Sequence, residues 1–251
     1  PELDESERYL FFTTLRGTVK RVRLSEFKNI RTNGLRAIQL REDDELIRVV
    51  VTSGNDGIIL GTYHGNAVSF HEDKVRAMGR TASGVRGVSL RDGDYVIGMD
   101  ILTPDREVLV VSEKGYGKRT AASEYALKGR GVKGVRTLRI TEKNGPLVCL
   151  RTVTGDEDLL IMTNKGVIIR FHAEDVSQTG RGALGVRMMR LDQDAIVSSL
   201  AIVDREEETE DVTEATAETV ATETPTASLS DEAIKGNMKD FAQQLVDEEN
   251  E

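Results

Sequence analysis

The residues best able to do chemistry in this chain are basic, and they stand at fixed distances from glycines. Four positions after Gly17, Gly65, Gly115 and Gly166 come Arg21, Ser69, Arg119 and Arg170. Two positions after Gly34, Gly84, Gly134 and Gly185 come Arg36, Arg86, Arg136 and Arg187. Lys20 and Lys118 flank the first set, and Arg80, Lys128, Arg130, Lys133 and Arg181 surround the second. A basic group that recurs once per structural unit forms a belt when the units are arrayed. Such a belt binds nucleic acid by neutralising phosphates, largely without reading base sequence. The glycines help, because they let backbone N–H groups approach a phosphate closely. The competing reading is protective: arginines on edge strands block sheet-to-sheet association. Both can hold.

Other motifs carry less. Gly129-Arg130-Gly131-Val132-Lys133-Gly134 has the spacing of a dinucleotide-binding loop, but that loop must open a helix, and Val135 to Ile140 reads as a strand. Gly117-Lys118-Arg119-Thr120 is no P-loop, since Ser112 stands where its first glycine belongs. His64, His71 and His172 are far apart and lack ligand-spaced cysteines or carboxylates, which reads as surface histidines rather than a metal site. No catalytic set emerges.

The elements that must position these residues follow from the repeat. The first glycines stand 48, 50 and 51 residues apart and the second 50, 50 and 51. A period near 50 points to propeller blades or a similar array, with the glycines as turns that need unusual backbone angles. β-branched and apolar runs predict four strands per unit. In the first unit these are Tyr9–Thr14, Thr18–Leu24, Leu35–Leu40 and Leu46–Thr52. The others give Gly57–Thr62, Ala67–Phe70, Val85–Leu90 and Tyr95–Leu102; Glu107–Ser112, Lys118–Ala121, Val135–Ile140 and Leu147–Val153; then Leu159–Thr163, Val167–Phe171, Val186–Leu191 and Ile196–Val203. The expectation is an all-β fold of four four-stranded antiparallel blades, at about 8–55, 56–105, 106–156 and 157–203, after a linker over 1–7.

Charge divides the chain. Residues 204–251 hold 16 acidic and 3 basic side chains, a net of −13. Removing these from the 43 acidic and 34 basic residues of the whole leaves 27 and 31, so the body is net +4. A basic body with an acidic tail suits a polyanion binder with a competing anionic segment, or an ordinary solubilising extension. Residues 205–230 are too poor in large apolar residues to fold. Beyond them Ile234, Met238, Phe241 and Leu245 share one helical face, marking a short helix over 231–246. Cys149, the single cysteine, lies in an apolar run, so the reading is a core residue and a reducing cytoplasm. No run is long enough for a membrane helix and no signal peptide is visible. The chain begins at Pro1, so an upstream part is expected to be missing.

Gly115-Tyr116-Gly117-Lys118-Arg119-Thr120, Val167-Ile168-Ile169-Arg170 and Gly84-Val85-Arg86-Gly87 together resemble the C-terminal domain of the bacterial DNA gyrase A protein, a β-pinwheel. The resemblance runs over about 9–203 and into the acidic tail. It implies a domain that wraps duplex DNA around its outer edge, within an ATP-dependent type II topoisomerase that introduces negative supercoils. Implied partners are the gyrase A N-terminal domain and gyrase B in an A2B2 complex, on the bacterial nucleoid. ATP and Mg2+ would be bound elsewhere in the parent enzyme, leaving no cofactor here. Six blades are usual in that family, and the four present resemble the last four. The family's glycine-rich box, Gln-Arg-Arg-Gly-Gly-Lys-Gly, lies in its first blade. The nearest match here is Lys128-Gly129-Arg130-Gly131-Val132-Lys133-Gly134, sharing Arg130, Gly131, Lys133 and Gly134 in position. This departure keeps the related domain of the topoisomerase IV A protein open as the parent. A protein-binding propeller scaffold is the alternative from another class.

Overall fold

The computed structural model describes residues 7–30, 32, 34–192 and 194–205. Most of the expected linker, the acidic tail beyond Arg205 and its helix lie outside the described residues.

Each unit begins with a hairpin. The hairpins are β1 (Tyr9–Thr14) with β2 (Thr18–Arg23), β4 (Gly57–Thr62) with β5 (Asn66–His71), β8 (Glu107–Ser112) with β9 (Tyr116–Ala121), and β12 (Glu157–Thr163) with β13 (Ile168–His172). Their tight turns share one chemistry. The amide of Gly17, Gly65, Gly115 or Gly166 donates to the carbonyl three residues back. In three of the four, a Thr or Ser hydroxyl at that earlier position also accepts from the first amide after the glycine. The four glycines sit at φ of +77°, +76°, +74° and +79°, backbone that a side chain rarely tolerates. A second device pins the first two turns from outside. Asp44 accepts from the amide of Arg16 and Asp94 from that of His64, so an acidic turn later in the unit holds the residue before the glycine.

On the other side of each hairpin lies a long strand: β3 (Leu46–Thr52), β7 (Val96–Leu102), β11 (Leu147–Val153) and β15 (Val197–Asp204). The fourth strand of a sheet comes from the following unit. The sheet orders are β3-β1-β2-β6, β7-β4-β5-β10 and β11-β8-β9-β14, where β6 is Val85–Arg86, β10 is Val135–Arg136 and β14 is Val186–Arg187. This corrects the expectation that each repeat closes its own sheet. The third segment of a repeat crosses to the hairpin before it and pairs over only two residues. Two amides of the incoming segment then converge on the turn-glycine carbonyl: Gly87 and Val88 on Gly17, Thr137 and Leu138 on Gly65, Met188 and Met189 on Gly115. Leu35–Leu40, expected as a strand, forms none: the other third segments pair with the hairpin of the unit before their own, and the described residues hold no such hairpin for this one. The fourth sheet, β13-β12-β15, correspondingly has three strands.

The blades are fused through their long strands. β7 packs against β3 and β11, and β11 against β15, so these strands form the inner side of the array and β6, β10 and β14 its perimeter. The three large apolar clusters lie between blades rather than within them. Phe11, Ile58, Leu60, Phe70 and Met99 join the first two, Ile59, Val108, Val110, Leu138 and Leu150 the next two. Leu109, Cys149, Leu159, Ile161 and Met189 join the last pair. A smaller group, Phe12, Val22 and Phe27, stays within the first unit. Burial pushes the Cys149 thiol up to about 12, so it stays a protonated core residue. Blades two and three meet at close range, since a Cβ on Gly98 would lie 2.7 Å from the Leu150 carbonyl. An ionic chain crosses the inner strands: Arg48 on β3 and Arg151 on β11 both reach Asp100 on β7, at 3.6 and 2.9 Å.

Two glycines of nearly identical conformation should differ sharply on substitution. A Cβ on Gly115 would meet Met189 at 2.9 Å, whereas Gly166 has open space around it. Gly166→Val should cost the backbone strain alone, about 1–2 kcal/mol. Gly115→Val should cost more than that, and chemical denaturation of the two variants measures the difference. Equal losses would show that the incoming strand does not crowd the turn.

Candidate nucleic-acid interface

The first basic set is spent inside the fold. Lys20 and Lys118 are fully buried, with zero exposure. Lys20 Nζ donates to the carbonyls of Ala37 and Arg80, and Lys118 Nζ to those of Gly180 and Arg181. Each ammonium therefore caps the loop that the next unit lays across its blade, apart from the additional Ala37 contact within the first unit. Neither reaches the surface, which removes both from the expected phosphate contacts. Arg21 is held by the buried carboxylate of Glu72 at 3.4 Å and stacks over the Tyr9 ring. Arg119 pairs with Glu107 at 2.5 Å and also donates to the carbonyls of Val176 and Glu174. Both are corrected from rim contacts to clamps: their partners hold them within the fold and their side chains are only 11% and 13% exposed. Arg170 is more open but is engaged by Asp158 at 2.7 Å.

The second set lies where a ligand can reach it. Arg86, Arg136 and Arg187 each end a perimeter strand and are exposed, and Arg36 is exposed on the unpaired segment. Lys128, Arg130 and Lys133 are exposed on the loop before β10, with Arg80 and Arg181 half-buried at matching places. The loops are stiff. Gly84, Gly134 and Gly185 have φ of +101°, +78° and +83°, and a Cβ on any of them would strike backbone of the preceding hairpin within 2.8 Å. Gly34 has the same backbone sense, at +76°, with nothing near it.

The box-like segment 128–134 stitches two blades. The Lys128 amide donates to Ser69, the Gly131 amide to Gly87, and the Val132 carbonyl accepts from Ser89. Arg130 is oriented rather than loose, because Nε and Nη1 donate to the carbonyls of Lys74 and Arg86. Beside it, Ser69, Lys128, Lys133, Gly134 and Arg181 line a pocket that Glu124 also enters. Glu124 lies 3.6 Å from Arg181 and offsets part of that charge.

The structure adds a second basic hollow that the repeat alone does not single out. Lys143, Arg187 and Arg190 gather about Tyr116, with Arg187 donating to the phenol oxygen at 3.0 and 3.2 Å. Lys143 Nζ stands 5.7 Å from the centre of the same ring. Arg139 and Arg190 are both exposed and both lie five residues after a second-turn glycine, so the offset was there to be read. Among the described residues no group of His, Cys, Asp and Glu is placed to hold a metal ion.

The family model for the DNA gyrase C-terminal domain, a β-propeller, matches residues 8–53, 58–103, 106–148 and 157–204. The chain belongs to this gyrase C-terminal domain family. The DNA gyrase A protein of Staphylococcus epidermidis (strain ATCC 12228 / FDA PCI 1200) is 52% identical over 209 residues, covering 82% of this chain and 23% of the relative. That of Staphylococcus aureus (strain MRSA252) is 47% identical over 252 residues, covering 95% and 28%. The chain thus spans about a quarter of the length of these relatives. Among solved structures, a topoisomerase IV C-terminal domain matches with a TM-score of 0.75 at 27% identity, over 80% of this chain and 63% of that one. A gyrase A C-terminal domain matches with 0.72 at 27%, over 79% and 66%. The strand exchange between repeats, the inner fusion and the outer arginines described above are therefore features of a gyrase C-terminal domain.

The two basic sets of this gyrase domain separate in their expected effects. Arg119→Ala leaves the Glu107 carboxylate without its partner and should lose about 2 kcal/mol of stability. Arg136→Ala, at an exposed position, should stay within about 0.5 kcal/mol. Thermal melts of both would reverse the assignment if Arg136→Ala proved the more damaging. Lys118 gives a pH signature. Desolvation lowers its pKa from the ordinary 10.5 to about 8 in the folded state. Between those values the unfolded chain binds the proton and the folded one does not, so stability should rise as pH climbs from 8 towards 10.5. In Lys118→Met that increment should vanish, as denaturation midpoints across the window would record; a flat wild-type minus variant difference would rule it out.

Proposed function

We propose that this gyrase domain binds duplex DNA along its perimeter and bends it, as the wrapping element of a gyrase A protein. The observation that carries the reading is the exposure of Arg86, Arg136 and Arg187 at one register on successive perimeter strands. Chain atoms in this segment break no bonds. Their work is electrostatic: each guanidinium that meets a phosphate releases condensed counterions. Bending a short duplex costs on the order of 1–6 kcal/mol, so several contacts must act together to offset it. The Lys143–Arg187–Arg190 hollow and the loop 128–134 add contacts between neighbouring perimeter strands. In the parent enzyme the wrapped segment would be presented for ATP-driven strand passage, with gyrase B and the N-terminal domain of gyrase A as partners in an A2B2 assembly. ATP and Mg2+ would act in those parts.

The likeness to a topoisomerase IV domain and the incomplete box favour a second reading, in which the same rim serves a topoisomerase IV A protein. Comparing supercoiling with relaxation by the full enzyme separates the two. The acidic tail enters as a competitor for the rim: net −13 on a tether reaches a high local concentration without high intrinsic affinity.

Each of Arg86→Ala, Arg136→Ala and Arg187→Ala should weaken binding to duplexes of any sequence alike. Each should also flatten the log–log salt dependence of affinity by about 1 unit. Titrations of labelled duplex at several salt concentrations measure both. Unchanged affinity and slope in all three would refute perimeter binding, and a chain that binds no duplex even at low salt would favour the scaffold alternative.

A further inference from the structure

The loops 78–84, 128–134 and 179–185 hold the same place in successive units, and each carries an arginine near its centre: Arg80, Arg130 or Arg181. The first and third are closed turns, with the Ala82 amide donating to Gly79 and the Ala183 amide to Gly180. Lys20 and Lys118 hold them from below, by the carbonyls of Arg80 and of Gly180 and Arg181. Three places after its own turn glycine, the middle blade has the buried Val68 instead. Its loop has no bond from Val132 back to Gly129. The Gly131 amide donates across to the Gly87 carbonyl at 2.6 Å, a bond that neither Thr81 nor Gly182 makes. A later stitch, from the amide of Gln39, Ser89 or Arg139 to Ala82, Val132 or Ala183, is common to all three loops. Gly131 has φ +76°, and neither Thr81 nor Gly182 shares that positive angle. The Arg130–Gly131 peptide is therefore turned over relative to its counterparts, the difference that separates a type II from a type I turn. Glycine alone does not decide this, because 179–185 has the same Gly-Arg-Gly and stays closed. A cavity of about 350 Å3, lined by Val68, Ser69, Glu124 and Lys133 among others, lies between β5 and the middle loop.

We propose that Val68 is a positioning residue of the rim: standing where the neighbouring blades carry lysine, it leaves the loop unfastened and so sends Arg130 across to β6. An ammonium at this place would draw the Arg130 carbonyl inward, as Lys118 draws that of Arg181. Valine offers no donor, so the peptide is free to turn over and spend its amide on Gly87. Arg130 follows that peptide. Its Nη1 donates to the Arg86 carbonyl and its Nε to that of Lys74, which sets two rim arginines of adjacent units together. Exposure agrees, since Arg130 is exposed while Arg80 and Arg181, over their lysines, are half-buried. The consequence for DNA rests on the perimeter reading given above: the junction of the first two perimeter strands offers paired phosphate contacts that a fastened loop would not.

Residue-resolved amide hydrogen exchange of Val68→Lys tests this. The lysine should close the turn, slowing exchange at Val132 and quickening it at Gly131, each by about five- to tenfold for one hydrogen bond gained or lost. Val68→Met, which enters the same cavity without an N–H, should leave both amides as they are. In titrations with duplex DNA, Val68→Lys should flatten the log–log salt dependence by about 1 unit, as Arg130→Ala should, and the double variant should flatten it no further. Altered exchange with unaltered DNA binding would uphold the positioning role and count against the perimeter reading instead. A folded Val68→Lys with wild-type exchange at both amides would overturn the proposal, as would a turn that closes in Val132→Ala alone. Should Val68→Lys fail to fold, Lys118→Met reads the converse: exchange should quicken at Ala183 and slow at Gly182, and unchanged protection at both would overturn the proposal.

Discussion

Everything in this domain depends on a borrowed strand. A two-residue pairing looks too short to matter, but it brings two amides onto a single glycine carbonyl and, in the first and third blades, sets loop carbonyls of the incoming segment on a buried lysine, Arg80 on Lys20 and Gly180 and Arg181 on Lys118. Unpaired buried polar groups are costly, so each of these bonds is more expensive to lose than its net worth suggests. The three large apolar clusters follow the same logic, because each draws residues from two blades. A blade here is a shared object.

The same arrangement sorts the arginines. Those on the second strand of a hairpin are consumed by Glu72, Glu107 or Asp158. Those that follow the second glycine leave on the exchanged strand, beyond which no further strand covers them among the described residues. Position on the sheet, rather than charge, decides which can meet a phosphate. The inner ionic chain of Arg48, Asp100 and Arg151 makes the complementary point, being structural although it is equally basic.

Much of this was legible in the sequence, and the limits were physical. The glycine period marks the repeats and the strand patterns mark the hairpins, since both are local. Strand ownership was not legible, because Val85–Arg86 fits either its own unit or the one before by pattern alone. The fate of Lys20 and Lys118 was equally hidden: a lysine beside an arginine on a strand reads as solvent-facing. Alternation does place it on the opposite face from Arg21 or Arg119, and that face is the buried one. Arg139 and Arg190 escaped notice for a plainer reason, as two occurrences in four repeats look like chance until their exposure is seen.

Strand borrowing has a consequence for synthesis on the ribosome. The hairpin of the first blade is complete once Arg23 has emerged, but the strand that completes its sheet waits for Arg86. At translation rates of about 5–20 residues per second, that interval lasts roughly 3 to 13 s, far longer than a hairpin needs to form. Each nascent blade therefore spends seconds with an open edge facing solvent, and each newly made repeat acts as the folding partner of the one made before it.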